Sequence, residues 1–383
     1  MPGGRHLDIG RDDSNVPELR GHLGQGRDSG AVDPVVVGDQ NAHFQASSHG
    51  IVILLVSRDD NNRAEMIVIF SGASSEGKRN MRVTLIHNPK AGANEQSSED
   101  EFQALIRAAG HDVTCQLPND EDLEKALEDP GDLVAVAGGD GTVGAVAIRL
   151  AGRRVPIAIL PVGTANNISR ALKLADVPPE RLIAGWPKAR RVAFDVGTVN
   201  GSWGTTRFIE GLGVGLLARA ITELDAKAEV SFGRVEDREG KITSGLKRLS
   251  DLLENCPAKA MQIRLDGQDL SGEYILVEVM NIQHIGPGLH VAPDADPGDG
   301  LLDVVLFTAE HRDTLATYLT SRLEGNQQPL QWPARRGQHL ELRCEDLDMH
   351  IDDKVFSAHG STSSELPMHL DVKVDKNVLE FLV

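Results

Sequence analysis

"LVAVAGGDGTVGAVAIRL", residues 133–150, decides the fold of this chain. Leu133 to Ala137 is an apolar run of strand length. Gly138, Gly139, Asp140, Gly141 and Thr142 follow, and Val143 onward reads as a helix. Bare backbone between a strand and a helix lets N–H groups approach an anion, and the helix start adds its positive dipole end. The simplest ligand is a phosphate. Asp140 is out of place in a loop that only cradles anions. An acid beside a phosphate suits contact with Mg²⁺, bound water or a nucleophile. The plainer alternative is a glycine-rich turn with Asp140 as an ordinary N-cap.

Working outward, the same rhythm repeats. Strands are expected at 82–87, 112–117, 132–137 and 156–162, each followed by a helix, around 98–109, 120–128, 142–151 and 164–173. Such alternation with short turns predicts an α/β fold with a parallel sheet wrapped by helices. Ligands of these sheets lie beyond the carboxyl ends of the strands. "NPKAG" (88–92), "GGDGT" (138–142) and "PVGTANN" (161–167) all fall there.

Beyond about residue 190 the pattern changes to short strands with Gly, Asn and Asp turns, in "RRVAFDVGTVNG", "TTRFIEGLGVG", "AMQIRLDGQDLSGEYILVEVMN", "LLDVVLF" and "QHLELRCEDLDMHIDD". "VNGS" and "LDGQ" are hairpin signals. A mainly antiparallel second domain follows, interrupted by helices near 215–227 and 242–254. Residues 1–80 are rich in Gly, Arg, Asp and His without sustained period and read as a loop-like, disordered extension. "IVILLV" and "EMIVIF" interrupt it. The expected division is 1–80 as extension, 81–190 as the nucleotide domain and 191–364 as the β-rich domain. Residues about 365–383 are a candidate to return to the first.

Composition limits the function. A net charge of −18 argues against general nucleic-acid binding and broad adhesion to anionic membranes. Local basic patches remain, as around Arg181, Lys188, Arg190 and Arg191. Cys115, Cys256 and Cys344 are far apart, in no metal-ligand pattern, and read as reduced thiols of a cytoplasmic protein. No apolar run reaches the roughly 20 residues of a membrane span.

Three other glycine motifs are set aside. "GASSEGKR" (72–79) lacks the Ser or Thr that follows the lysine of a P-loop. Gly139, Gly141 and Gly144 spell a dinucleotide fingerprint, but no acid closes the next strand. "GVGLLA" (213–218) reads as a tight turn.

Taken together and in order, "NPKAG", "GGDGT", "PVGTANN" and "APDADPGDGLLDVVLF" (292–307) resemble the catalytic domain shared by diacylglycerol kinases, sphingosine kinases and bacterial lipid kinases. The resemblance covers about 81–383. It implies a Rossmann-like nucleotide domain and a β-sandwich lipid domain with the active site in the cleft between them. It also implies ATP and Mg²⁺, transfer of phosphate to a lipid hydroxyl, and transient peripheral membrane contact. A homodimer is a further candidate. Asn88, Pro89, Lys90, Ala91 and Gly92 match the first nucleotide loop, and Thr114 a threonine after the second strand. Gly138, Gly139, Asp140, Gly141, Thr142, Val143, Gly144 and Ala145 match the main phosphate loop, and Thr164 the third. The Asp299 side chain with the Asp296 and Leu301 carbonyls matches a structural Mg²⁺ site; the plainer alternative is an acidic hairpin turn.

Several positions depart from that family. Gly144 and Ala145 stand where Asn and Glu are usual, Asn167 where Asp is usual, and Glu210 where Asn is usual. The changes at 144, 145 and 167 predict fewer carboxylates near the nucleotide. In "MHIDDKVFSA", Asp352 and Asp353 match the Asp and Gly of an Asp-Gly-Glu motif, and Lys354 stands for the glutamate regarded as catalytic base. An ordinary lysine is protonated at pH 7 and cannot take a proton. Asp353 is the favoured base. The alternatives are Lys354 as a phosphate-charge stabiliser with Asp140 as base, Glu210 as an outside candidate, or a non-catalytic lipid- or nucleotide-binding protein. An NAD-kinase-like small-molecule kinase is disfavoured by "PVGTANN" and the 292–307 segment. The lipid itself stays open between diacylglycerol, a sphingoid base, a phospholipid head group and a polyprenol-like alcohol.

Overall fold

The computed structural model describes residues 51–58, 64–71, 80–89, 91, 98–228, 238–345, 348–356 and 368–383. The "GASSEGKR" motif, Lys90 and Gly92 lie outside the described residues, as does most of the expected extension. The chain divides into two units, up to Gly77 and from Lys78 to Val383. In the first, β1 (Ile51–Arg58) and β2 (Ala64–Ser71) pair antiparallel, with Ile51 opposite Ser71 and Arg58 opposite Ala64. These strands are the two apolar runs of that region.

The second unit opens with the expected alternation: β3 (Arg82–His87), α1 (Glu99–Ala108), β4 (Asp112–Gln116), α2 (Asp120–Ala126), β5 (Leu133–Gly138), α3 (Asp140–Leu150), β6 (Ile157–Pro161), α4 (Asn167–Ala171) and α5 (Pro179–Gly185). The four strands are parallel in the order β4-β3-β5-β6. The period-2 pattern of β5 explains why helices cover both faces. Leu133, Ala135 and Ala137 pack with Phe102 and Ile106 of α1, whereas Val134 and Val136 pack with Val143 and Val146 of α3. Phe102 and Ile106 are fully buried, each worth about 2–3 kcal/mol of transfer free energy. Ser98 and Glu101 close a capping box at the start of α1, satisfying two amides that would otherwise lack partners.

The remainder is β7 (Arg191–Gly201), β8 (Gly204–Phe208), β9 (Gly211–Gly215), α6 (Leu216–Ala228), α7 (Arg238–Glu254), β10 (Lys259–Leu265), β11 (Gln268–Asp269), β12 (Gly272–Tyr274), β13 (Leu276–Met280), β14 (His284–Ile285), β15 (Leu289–His290), β16 (Leu302–Phe307), α8 (Arg312–Leu323), β17 (Arg335–Gly337), β18 (His339–Cys344), β19 (Met349–Ile351), β20 (Lys354–Phe356) and β21 (Met368–Leu382). A six-stranded antiparallel sheet, β17-β16-β13-β9-β19-β20, faces β7, β8, β10, β18 and β21 across a shared apolar core. That is the expected sandwich. The helices α6, α7 and α8 contribute to a further core with residues of β13 and β16.

The long strand β21 joins the two halves. Its first residues pair with β18, and Phe381 lies parallel to Ile157 of β6. β21 thus lies inside one continuous eleven-stranded sheet, between β18 and β6. "GVGLLA" is not only a turn: Gly213 lies within β9, and the chain bends into α6 at Gly215, whose φ is +94°. "LDGQ" forms the β10–β11 hairpin, with Leu265 opposite Gln268.

Candidate active site

The three loops beyond the parallel strands are tied together by direct contacts. Asn88 donates from its side chain to Thr142 Oγ1 at 2.9 Å, joining the first loop to the second. A Cβ on Gly163 would lie 2.2 Å from the Cα of Gly139, so the second and third loops meet backbone to backbone. Only glycine allows that approach. Asn166 holds the third loop with φ +54° and accepts the Gly163 N–H at 2.9 Å. This left-handed residue delays α4 to Asn167, three residues later than the periodicity predicts.

Asp140 does not act as the cap of its own helix. Its Oδ1 accepts the Ile168 N–H at 3.0 Å, with further amide bonds from Asn166 and Asn167. The carboxyl thus caps α4 from α3 and locks the second loop to the third. Burial raises its pKa against the pull of those amides.

A cavity of about 340 Å³ opens over the loops, within the range of small-molecule sites. Asn88, Gly139, Gly141, Thr142, Gly163 and Thr164 line it from the first half, joined by Ala91, Ala145 and Pro118. From the second half come Asp353 and Lys241. Lys241 lies on α7, a hundred residues from the glycine loop in sequence. No motif surrounds it, and sequence reasoning missed it.

Asp353 reaches the cavity because of Asp352. The β19–β20 hairpin turns on these two residues, with Ile351 opposite Lys354. Asp352 takes φ +51°, a conformation Asp tolerates better than most residues. Its Oδ1 accepts N–H groups of Ile209, Glu210 and Gly211 at 3.2, 2.8 and 3.2 Å. Burial nevertheless pushes Asp352 up to about 6. So anchored, the turn presents Asp353 over the glycine loop: a Cβ on Gly141 would sit 2.5 Å from Asp353 Oδ2. Lys354 is exposed and does not line the cavity.

Beneath this hairpin, His350 and Glu278 form a fully buried pair, Nε2 to Oε2 at 2.9 Å. Burial opposes the His350 charge, but Glu278 outweighs it and the imidazole pKa rises.

Glu210 is buried and accepts from Asn167 Nδ2 at 2.8 Å. Burial first, then the charges of Asp140, Asp352 and Asp353, raises its pKa well above the ordinary glutamate value. The two departures at 167 and 210 form one reciprocal exchange: amide and carboxyl have changed places across a hydrogen bond. The carboxyl that position 167 lacks is thus carried beside it by Glu210, whereas positions 144 and 145 carry none.

Other expected residues fall elsewhere. Pro89, Gly138, Val143 and Gly144 support the loops without lining the cavity. A Cβ on Gly144 would stand 3.8 Å from Ile209 Cδ1 and 4.0 Å from Asp352 Oδ2, ordinary contact distances. Thr114 lies exposed within β4, opposite Thr84, rather than after the strand; its strand continues to Gln116, which keeps it from the loop end.

The 294–301 turn does not fit the Mg²⁺ site the resemblance implies. Asp299 Oδ1 accepts the Leu301 N–H at 2.9 Å, and Oδ2 binds the Arg336 guanidinium. Arg336 Nε also reaches Asp303 at 3.4 Å. Asp296 Oδ1 accepts the Gly298 N–H at 3.0 Å. The side-chain ligand is thus already neutralised by an arginine. No group of three His, Cys, Asp or Glu among the described residues is arranged to hold a metal. The turn is instead fastened by Asp195, which accepts from Gly300 and Asn377, each at 2.6 Å.

Comparison with known proteins agrees with this architecture. A family model described as "Diacylglycerol kinase catalytic domain" matches residues 82–199. A second, described as "YegS C-terminal NAD kinase beta sandwich-like domain", matches 219–379. A protein named "Diacylglycerol kinase" from Bacillus subtilis is 27% identical over 315 residues, covering 79% of this chain and 99% of that protein. A Pseudomonas aeruginosa protein named "Probable lipid kinase YegS-like" is 29% identical over 291 residues, covering 73% and 91%. A crystal structure of a diacylglycerol kinase from Bacillus anthracis superposes with a TM-score of 0.55 at 21% identity, over 79% of this chain and 96% of that one. This last likeness concerns the fold. With both domains matched in order and the loops assembled as described, the chain belongs to the diacylglycerol kinase and YegS-like family.

Proposed function

We propose that this protein is an ATP-dependent lipid kinase that transfers the γ-phosphate to a lipid hydroxyl, with Asp353 as general base. The observation that carries the reading is the meeting of Asp353 with Gly141. A carboxylate from the β-rich half stands over the phosphate loop of the α/β half, where an acceptor hydroxyl and a γ-phosphate would meet. The glycine cradle of Gly139, Gly141 and Gly163 suits close approach of phosphate oxygens to backbone. Lys241 supplies a cation in the same cavity, suited to the charge spread over the transferring group.

In this scheme the lipid oxygen bonds to the γ-phosphorus as Asp353 takes the hydroxyl proton. The bond from phosphorus to the β–γ bridging oxygen breaks and ADP leaves. Magnesium accompanying ATP supplies charge neutralisation at the phosphates. Asp140 acts by fixing the loops, Asp352 by aiming its neighbour, and Lys354 has no part in proton transfer. Among the described residues no helix is long and apolar enough to cross a membrane, which accords with lipid met at a surface.

The test is transfer of radiolabelled phosphate from ATP with Mg²⁺ to lipid hydroxyls in detergent micelles. The panel covers diacylglycerol, a sphingoid base, a glycerophospholipid and a polyprenol. Wild-type transfer that falls by about 10²–10⁴ in Asp353→Asn, with ATP binding retained, is the expected result. Full activity of that variant would remove Asp353 as base. No transfer by the wild type, in protein that binds ATP, would favour the non-catalytic reading.

A further inference from the structure

A buried ion pair interrupts an apolar layer beneath the turn that carries Asp353. In the six-stranded sheet, Gly213 of β9 lies opposite Glu278 of β13 on one side and His350 of β19 on the other. Successive side chains of a strand point to opposite faces. Val277, Val279, Met349 and Ile351 pack into the sandwich core, so Glu278 and His350 occupy the other face. There Leu276 and Met280 pack with α6, α7 and α8. Glu278 reaches His350 across β9 because residue 213 has no side chain: a Cβ there would collide with the Glu278 carboxylate. The first glycine of "GVGLLA" thus makes room for the pair.

An ion pair taken out of water adds little to stability by itself, because desolvation cancels much of the attraction. The use of this pair lies in the second contact of the ring. His350 Nε2 meets Glu278 Oε2 at 2.9 Å, and Nδ1 meets the Asp352 carbonyl oxygen at 3.1 Å. Both partners are acceptors, whereas a neutral imidazole has one N–H. The pair therefore holds one proton more than a neutral ring beside a carboxylate. Burial opposes a charged ring, but Glu278 and then Asp352 outweigh it. α6 packs against β19, and its Arg219 and Glu223 pair with each other at 3.2 Å, which leaves Glu278 to the ring.

Asp352 is held at both ends. Its carboxylate takes the amides of Ile209, Glu210 and Gly211, and its carbonyl takes the ring. The residue needs holding, because its φ is +51° and a left-handed backbone is costly for a residue with a Cβ. The held carbonyl belongs to the planar peptide unit that leads into Asp353. Fixing that plane fixes the direction from which the Asp353 side chain departs.

We propose that His350 is a positioning residue for phosphate transfer: its Nδ1–H holds the Asp352 carbonyl and so aims Asp353 over the glycine loop, while Glu278, reaching across Gly213, orients the ring. The assignment rests on the lipid-kinase reading with Asp353 as base and adds the device that aims it.

Two substitutions in the full chain separate the two contacts of the ring. His350→Gln puts an amide nitrogen near the place of Nε2, and His350→Asn puts one near the place of Nδ1. His350→Gln keeps a partner for Glu278 and should melt closer to the wild type, yet its kcat should fall about tenfold or more with KM for ATP unchanged. His350→Asn leaves Glu278 unpaired and should melt lower, yet it should retain most of kcat. A merely structural pair predicts that kcat follows Tm. That order, or a loss in His350→Asn as large as in His350→Gln, or wild-type kcat in both, would overturn the proposal. The wild type is tested directly by nitrogen-15 NMR at pH 8, above the ordinary histidine value of about 6.5. His350 should carry a proton on Nδ1, its signals being those absent from the variants. A bare Nδ1 would overturn the proposal whatever the kinetics. Amide exchange at residues 209–211 should quicken several-fold in His350→Gln, and unchanged exchange would also count against the role. If the wild type phosphorylates no lipid, or Asp353→Asn is fully active, the kinase reading or its base fails alone. The NMR and exchange measurements then still decide whether His350 holds the turn.

Discussion

Replacing Gly141 with Ala places a methyl group 2.5 Å from Asp353 Oδ2, closer than carbon and oxygen tolerate without movement. The obstructed atom is the end of a short side chain on an exposed residue, so the carboxylate swings away and the fold survives. Gly141 lies inside α3, where Ala is better than Gly by about 0.5–1 kcal/mol. The variant should melt at or slightly above the wild-type temperature. Its activity should fall, because displacing a catalytic group by ~1 Å costs on the order of 10² in rate, or about 2.7 kcal/mol of barrier. The assay is kcat and KM for ATP in wild type, Gly141→Ala, Asp353→Asn and the double variant. If the methyl acts through Asp353, the double variant is no slower than Asp353→Asn alone, a coupling that a double-mutant cycle measures directly. Gly141→Ala with wild-type kcat, or losses that simply multiply in the double variant, would refute the placement of Asp353 over the loop. A rise in KM for ATP alone would instead mean that the methyl obstructs the phosphates.

Four further outcomes are expected. Lys354→Ala and Lys354→Glu should each leave kcat within about threefold, because the side chain is exposed and outside the cavity; a large gain with Glu would return the base to position 354. Arg336→Met leaves buried Asp303 unpaired, and Asp303 already stands at about 6 because burial outweighs its arginine. The variant should lose about 2 kcal/mol, more at pH 8 than at pH 5, as read by urea denaturation. Chelator should leave the wild-type Tm unchanged. Asp352 titrates at about 6 when folded against 3.8 as reference. The folded chain therefore holds the proton more tightly, and stability falls as pH rises from about 4 to about 6. The full effect is about 3 kcal/mol at 1.36 kcal/mol per unit. Asp352→Asn should flatten that part of the stability curve, and an unaltered slope would remove Asp352 as its source.

The sequence by itself determined the parallel half. The apolar period of β3, β5 and β6 and the glycines after them are local signals, and local signals survive without tertiary context. They located the three loops and Asp140. Asp353 came from the resemblance of "MHIDDKVFSA" to an Asp-Gly-Glu motif, not from these local signals. What they could not supply is direction. Asp140 looked like a ligand or a base, but its carboxyl turns to the amides of α4, a partner set only by the meeting of two loops. Asn167 and Glu210 are 43 residues apart in the chain, so their exchange becomes visible only across the hydrogen bond they share. Arg336 closes on the 294–301 turn because β17 pairs beside β16, and Lys241 reaches the cavity because α7 carries it there. Side-chain chemistry is written in the chain, but which charges meet depends on long-range packing, and that was decided by the tertiary structure.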